Sequence, residues 1–579
     1  MTVNNAAWAT LMTVLLCLPV RLHPAVQQNA ARIVPNNDAQ VLYIHGNILT
    51  GEGLASGNPQ RVTALAIRDG IILAMGSDEE MLKLRGPKTE VIDLHGAFAM
   101  PGFNDAHVHL ASAGREKLTV DLVGVKSLAE MQQRIAAAAK AAPAGSWLRG
   151  RGWDHTLWAS GKLPTRQDLD KVTGGHPAVF TRVDGHIAVA NSLALKAAAV
   201  TAGTRDPSGG KIDRDGNSEL TGGEPTGIVR ETAVDLIYNK VPPTTHDQRR
   251  HALELALQDA VAHGITSAQD YSTWDDFLVY EEMEREGKLP IRISEWLTFL
   301  DSLPVLEAER AHHPADDPML HTGTLKGFMD GSLGSRTAAM NAPYADDPGN
   351  SGIPQFEQAT LNRMTIERAR AGFQIGFHAI GDRAVSMALD AYAAAEAAVP
   401  ESKGTRFRIE HVQVVEPKDF ERFRSLGVIA SMQPNHLLTD MNWAQDRIGP
   451  ERAKYSYTWK TFVDEGVVLP FGTDYPVEPV TPFRGIYAAV TRRNEAGTRI
   501  YFPAQALTIG QALYAYTQAA AFAENMETKK GELRAGQFAD FVVLDRDLLK
   551  AKPQEILKTN VLRTVVGGKT AFLQEKEPR

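Results

Sequence analysis

Five short apolar runs in this chain each carry, at or near their end, a residue able to bind a metal or move a proton. Residues 101–109 end in His107 and His109, 324–330 carry Lys326, 373–378 end in His378, 407–411 in His411 and 467–474 in Asp474. Short runs rich in branched and aromatic residues, bounded by Gly or Pro, read as strands. Parallel strands that each present a polar group at the carboxyl end are what a (β/α)8 barrel assembles at its active rim. On a strand, residues i and i+2 share a face, so His107 and His109 can offer two imidazoles to one point. Alone, a His-x-His pair is more often surface or structural than a metal site. The Lys, the two further His and the Asp in separate strand-like segments supply the partners that a metal needs.

The intervening sequence has the alternation that such a barrel demands. An Ala-rich helix is expected at 128–142, a strand at 177–183 before Asp184-Gly185-His186, a helix at 251–262 that stops at His263-Gly264, and a strand from Ile265. Strands alternating with helices imply a parallel sheet covered by helices. A barrel needs about 250 residues, and the 579 residues here leave room for more. Residues 150–227, rich in Gly, Trp and Pro, fit an insertion over the barrel mouth. Both ends read as β-structure. Apolar runs at 41–44, 62–67 and 71–76 surround an Asp69-Gly70 turn, and 539–545 and 561–569 match them at the other end. The expected division is a β-sandwich part at 38–100, a barrel at 101–526 and the second sandwich part at 527–575.

The N-terminus differs from the rest. Residues 6–20 are apolar and are followed by small and polar residues, so 1–30 reads as a signal peptide for export, although no Lys or Arg precedes the apolar core. A membrane anchor and a buried N-terminal helix are the alternatives. The single cysteine, Cys17, lies in this segment, so the remainder has neither disulfides nor thiolate ligands, and a metal must be held by His, carboxylate or modified Lys. A net charge of −8 does not suggest a nucleic-acid partner, which would favour a basic face. No later segment is long and apolar enough to span a bilayer, so no membrane contact is expected once the signal is removed.

The stretches PGFNDAHVH (101–109), GRGWDHTLW (150–158), VDGHIAVANSLAL (183–195), LKGFMDGSLGSRTA (325–338), FHAIGDRAV (377–385), RIEHVQ (408–413), FGTDYPVEP (471–479) and GELRAGQFADFVVLD (531–545) occur in this order. Together they resemble the amidohydrolase superfamily, and within it the amidohydrolase 3 subgroup of the YtcJ and N-substituted formamide deformylase type. The resemblance covers nearly everything after residue 38. It implies an α/β fold, a (β/α)8 TIM barrel with a small β-sandwich built from the two terminal segments. It also implies two divalent metal ions, most often zinc, with His107, His109 and Asp474 on the first and His378 and His411 on the second. Lys326 matches a bridging lysine that serves as a carbamate after reaction with carbon dioxide. The implied reaction is hydrolysis of a non-peptide C–N bond in a small amide-type molecule by a metal-activated water, with Asp474 moving the proton and an amine and a carboxylic acid as products. Deamination, ester hydrolysis and an exported binding protein without catalysis are the competing functions, and a homo-oligomer is compatible with all of them.

Several residues have a second reading. An unmodified Lys326 would pair with a carboxylate such as Asp330. Asp474 could cap a helix begun by Gly-Thr-Asp-Tyr-Pro. His186 is a substrate-carbonyl donor or a turn histidine, and Trp153 and Trp158 line the substrate pocket or simply pack. Asp382 orients His378 or caps the next helix. Strand alternation turns Glu410 away from His411, which makes it structural. His23, His155, His312 and His313 lack a strand-end setting and receive no role.

Overall fold

The computed structural model describes residues 38–182, 186–207, 210–215 and 223–575. The expected signal peptide at 1–30 lies outside the described residues. Seven parallel strands form the central sheet: β1 (Phe103–Val108), β2 (Ile265–Asp270), β3 (Arg292–Thr298), β4 (Leu320–Phe328), β5 (Gln374–Ala379), β6 (Arg408–His411) and β7 (Ile429–Ser431), each paired with the next. The eighth position belongs to residues 467–474. Ala430 and Met432 donate to the Val468 and Pro470 carbonyls at 3.1 and 3.0 Å, while on the other side Ala106 donates to Phe471 at 3.1 Å and Asp474 to the His107 carbonyl at 2.8 Å. Pro470 brings no N–H to a ladder, and this stretch closes the barrel through a single parallel bridge, Met432 to Phe471. The expected TIM-type barrel is borne out.

Helices cover the outside. The helix His246–Ala262 begins five residues earlier than its apolar pattern, because Thr245 and Gln248 form a capping box, and it stops before Gly264, whose φ is 82°. It buries Leu253, Ala256, Leu257 and Ala260 against the sheet.

The two chain ends interleave. Phe541–Leu544 pairs antiparallel with Phe98–Pro101 in a six-stranded sheet drawn from both ends, and a four-stranded sheet from the N-terminal part faces it. Tyr43, Leu65, Ile67, Phe541 and Val565 form the core between them. Asp69 and Gly70 both have positive φ, 51° and 76°, the signature of the tight turn read from the sequence. A buried ion pair, Arg292 Nε to Asp540 at 2.6 Å, ties this sandwich to the start of β3.

The insertion between β1 and β2 is larger than the sequence suggested. Its six-stranded sheet runs from Val120–Asp121 to Pro225–Glu231. The helix Leu128–Ala141, expected on the barrel, instead buries Met131 and Ile135 in the insertion's own core with Trp153, Trp158 and Phe180. Among the described residues no helix is long and apolar enough to cross a membrane.

Candidate metal centre

The carboxyl ends of β1, β4, β5 and β6 and the closing segment deliver the expected residues to one rim. His107 and His109 leave β1 on the same side, with ring centroids 5.2 Å apart and planes at 88°. His107 is held at both ring nitrogens: Nδ1 lies 3.0 Å from Glu410 Oε2, and Nε2 lies 3.0 Å from Lys326 Nζ. His109 Nδ1 meets the Tyr271 carbonyl at 3.1 Å, which leaves Nε2 directed at Asp474 Oδ1, 3.2 Å away. Such outer contacts fix ring orientation and decide which nitrogen has a free lone pair.

Asp474 reaches this point through close backbone approach. A Cβ on Gly472 would stand 2.6 Å from the His107 backbone nitrogen, so only glycine fits. The buried Asp105 carboxylate accepts the Thr473 N–H at 2.8 Å and its hydroxyl at 2.6 Å, clamping the closing segment to β1. Asp474 itself has φ 58°, and no helix begins there; the next starts at Pro482. The helix-cap reading of Asp474 therefore does not occur, and its side chain faces the histidines. Strained backbone of this kind costs about 1–3 kcal/mol and tends to be kept at functional sites.

Lys326 is 1% exposed and does not pair with Asp330. Asp330 is engaged by the N–H groups of Ala339, Ile380 and Gly381 at 2.8–3.0 Å. Burial pushes the Lys326 ammonium down to about 8. Burial likewise lowers His107 to about 4 and His378 to about 3, and it holds His411 well below the ordinary range, so these rings are neutral at pH 7. His378 and His411 stack edge to face with centroids 4.4 Å apart. His378 Nε2 lies 3.1 Å from the Gly331 carbonyl, and His411 Nδ1 lies 2.7 Å from Gln433 Oε1. Asp382 does not touch His378; it begins the next helix and accepts the N–H groups of Asn341 and Arg383 at 2.8 Å.

Glu410 overturns its sequence reading. It is fully buried inside the barrel, bonded to Arg408 at 2.6 Å and to His107, and so acts on a site histidine. The alternation rule fails because His411 and Val412 both adopt left-handed backbone, φ 73° and 47°, which lets Glu410 and His411 serve the same site.

His436 was not anticipated. It sits on the short helix Asn435–Asp440 after β7, with Nε2 3.2 Å from Asp474 Oδ2. Burial disfavours its charged form, but Asp474, Asp440 and Glu478 outweigh this and raise it to about 9. A search for polar residues just beyond β7, as beyond the other strands, would have found it together with Gln433.

The insertion residues fall elsewhere. Trp153 and Trp158 are core residues whose indole N–H groups bond internally, to the Phe180 carbonyl at 2.8 Å and the Val125 carbonyl at 3.1 Å. His186 is an exposed turn histidine 3.0 Å from Glu231. None of the three lines the cavity at the rim. That cavity, about 350 Å³, is lined by polar groups of His109, His378, His411, His436, Lys326 and Asp474 and by the apolar side chains of Phe328, Leu333, Ile380, Trp443 and Val477.

The rim suits a divalent ion. Donor atoms of His107, His109 and Asp474 lie within 4.8 Å of one another, and so do those of His411, His436 and Asp474. Asp474 Oδ1 is buried without a well-formed hydrogen bond, despite His109 nearby. Interactions with His109 and His436 outweigh burial and hold this carboxyl well below its usual range, so it is ionised. The neutral rings of His107 and His411, converging with the other histidines on an ionised carboxylate with an unused oxygen, form a set that zinc and similar ions accept once His436 gives up its proton.

The family model of the amidohydrolase family matches residues 90–572. Putative amidohydrolase YtcJ of Bacillus subtilis is 32% identical over 521 residues, covering 88% of this chain and 96% of its own. N-substituted formamide deformylase of Arthrobacter pascens is 26% identical, covering 87% and 94%. A crystal structure of an uncharacterized metal-dependent hydrolase from Pyrococcus furiosus superposes with a TM-score of 0.73 at 32% identity, covering 88% of this chain and all of that one. The chain belongs to the amidohydrolase family and is a metal-dependent hydrolase.

Proposed function

We propose that this enzyme hydrolyses a non-peptide C–N bond of a small amide-type molecule and releases an amine and a carboxylic acid. The observation that carries the reading is Asp474: an ionised, buried carboxylate with an uncommitted oxygen, set among the rim histidines and facing the cavity. The name of the Arthrobacter relative, an N-substituted formamide deformylase, supports the amide class.

His107, His109 and Asp474 would hold one divalent ion, zinc by preference, and His378 and His411 a second. A carboxylated Lys326 would lie between them; the fall of its amine to about 8 favours the neutral form that reacts with carbon dioxide. Bound ions of this kind supply Lewis acidity, lowering the pKa of a water and polarising a carbonyl. Asp474 accepts the proton of the attacking water and passes it to the leaving nitrogen as the C–O bond forms and the C–N bond breaks. His436 keeps Asp474 ionised and fixes one of its oxygens at 3.2 Å, leaving the other for this transfer. The apolar wall of Phe328, Leu333, Ile380 and Trp443 suits a substrate with an apolar substituent.

The test is a screen of zinc-loaded enzyme against N-formyl amines, N-acyl amines, lactams, amino-heterocycles and esters, with released amine, ammonia or alcohol measured directly. Amide turnover that Asp474→Asn lowers by at least about 10²–10⁴-fold, with unchanged circular dichroism, is the expected result. Turnover confined to esters or amino-heterocycles, or near-normal rates in the variant, would overturn the reading.

A further inference from the structure

A second set of metal-type ligands lies far from the rim, on the outer helical layer. Donor atoms of Glu284, His313 and Asp317 all fall within 4.8 Å of one another. The helix Trp274–Arg285 supplies Glu281 and Glu284, three residues apart and so on one face. His313 directly follows the helix Leu303–His312, and Asp317 lies in the loop that leads into β4.

His313 and Asp317 are each oriented by a contact that leaves one atom for the centre of the group. Glu281 Oε1 sits 2.7 Å from His313 Nδ1, and its Oε2 sits 3.0 Å from His312 Nε2. The carboxylate therefore fixes the proton on His313 Nδ1 and leaves the Nε2 lone pair exposed to the group, the arrangement found behind histidine ligands. The Met319 and Leu320 N–H groups occupy Asp317 Oδ1 at 2.7 and 3.0 Å, which leaves Oδ2. His313 Nε2 then faces Glu284 Oε2 and Asp317 Oδ2, each 3.7 Å away. The His313 side chain is only 9% exposed, and its Nε2 is buried without a hydrogen-bond partner.

The group is rich in carboxylates, and burial together with the neighbouring Asp317 raises the Glu284 carboxyl to about 7. Three carboxylates converge on two histidines, and among the described residues no Lys or Arg comes within 4.0 Å of any of them. Arg285 borders the same cleft. Ligand atoms about 2.0–2.2 Å from a tetrahedral zinc ion stand roughly 3.3–3.6 Å apart, so the 3.7 Å separations need only a few tenths of an ångström of closure.

We propose that Glu284, His313 and Asp317 form a structural zinc site, with Glu281 positioning His313, that ties the helix Trp274–Arg285 to the start of β4. The seven residues of β4 from Leu320 to Lys326 span about 20 Å, so this site is separate from the rim. It does not depend on the reading of the reaction.

The experiment measures zinc per chain by mass spectrometry of the elements, after full-length protein is equilibrated with zinc chloride and gel-filtered. His313→Gln and Asp317→Asn are each expected to hold one ion fewer than the wild type, with unchanged rim occupancy and amide turnover. Zinc chloride is expected to raise the melting temperature of the chelator-treated wild type by more than that of either variant. If those two do not fold, Glu284→Gln, whose side chain is more exposed, takes their place. Equal zinc content in the wild type and the folded variants overturns the site.

Discussion

Replacing Glu410 with glutamine preserves its shape and removes its charge, and the neighbours leave the amide no satisfactory orientation. Glu410 accepts from Arg408 Nε at 2.6 Å and, through Oε2, from His107 Nδ1 at 3.0 Å. If the amide oxygen keeps Arg408, its NH₂ faces His107 Nδ1. The ring proton must then move to Nε2, the nitrogen needed at the rim. If the oxygen keeps His107, two donors face each other at Arg408. Two routes give the magnitude. Removing one partner of a buried ion pair costs about 3–5 kcal/mol. Burial disfavours the Glu410 carboxylate, but Arg408, with His107 and Lys326, outweighs it and holds the carboxyl at about 2, against 4.5 normally. That difference corresponds to about 3 kcal/mol. Because the folded pKa is depressed, this stabilisation is present above about pH 4.5 and is lost as pH falls through 2. Glu410→Gln is therefore expected to lose about 2–4 kcal/mol in denaturant unfolding, the lower figure allowing for the hydrogen bond that the amide retains. Zinc affinity, read by chelator competition, is expected to weaken by about 10–100-fold. Wild-type zinc affinity in a folded Glu410→Gln protein would refute the orienting role, whatever its stability.

Two further changes probe neighbouring features. His436, raised to about 9, stabilises the fold fully below its unfolded value near 6.5 and loses that contribution as pH rises through 9. In chelator-treated protein, stability is expected to fall between pH 7 and 10 more steeply in the wild type than in His436→Gln, and parallel pH profiles would contradict the assignment. Trp153→Phe removes the indole donor from the buried Phe180 carbonyl, which keeps its place in the ladder opposite Val189, and is expected to lower the melting temperature through a loss of about 0.5–1.5 kcal/mol. It should leave kcat and KM for an amide substrate unchanged, whereas a large rise in KM would return Trp153 to the substrate pocket.

The rim was legible because strand geometry is local. A strand end with a His or Asp can be recognised from a few residues, and the order of such ends around a barrel follows the chain. Glu410 was misread because the alternation rule assumes regular backbone, and the left-handed turn at His411 and Val412 has no signal in residue type: neither is Gly or Asn. His436 was missed because β7 is only three residues long and the histidine stands on a helix beyond it. The insertion boundary was misplaced for a different reason. Leu148–Trp153 pairs in parallel with both Val120–Asp121 and Ala178–Arg182 and is joined to the first by the helix Leu128–Ala141. Locally this is the same strand-helix-strand unit as the barrel itself, and only long-range pairing assigns it to another sheet.

Arg408 explains why so much of the rim depends on groups that never face the cavity. It is 1% exposed, and its guanidinium donates to Glu410 on its own strand, the Ala106 carbonyl on β1, Gln269 on β2 and Ser431 on β7, with the Trp296 ring of β3 4.6 Å away. One cation thus links the strand that carries the first histidine pair to the strands that carry His411 and precede His436. A buried charge is costly unless every donor is satisfied, so these strands are held in a common register by the same interactions that aim the His107 ring. An apolar replacement of Arg408 could retain or even raise stability, as replaced buried ion networks often do, but only if Glu410 were replaced with it. His107 Nδ1 would then lose its carboxylate. The interior charges are better understood as setting the direction of the metal ligands than as holding the barrel together.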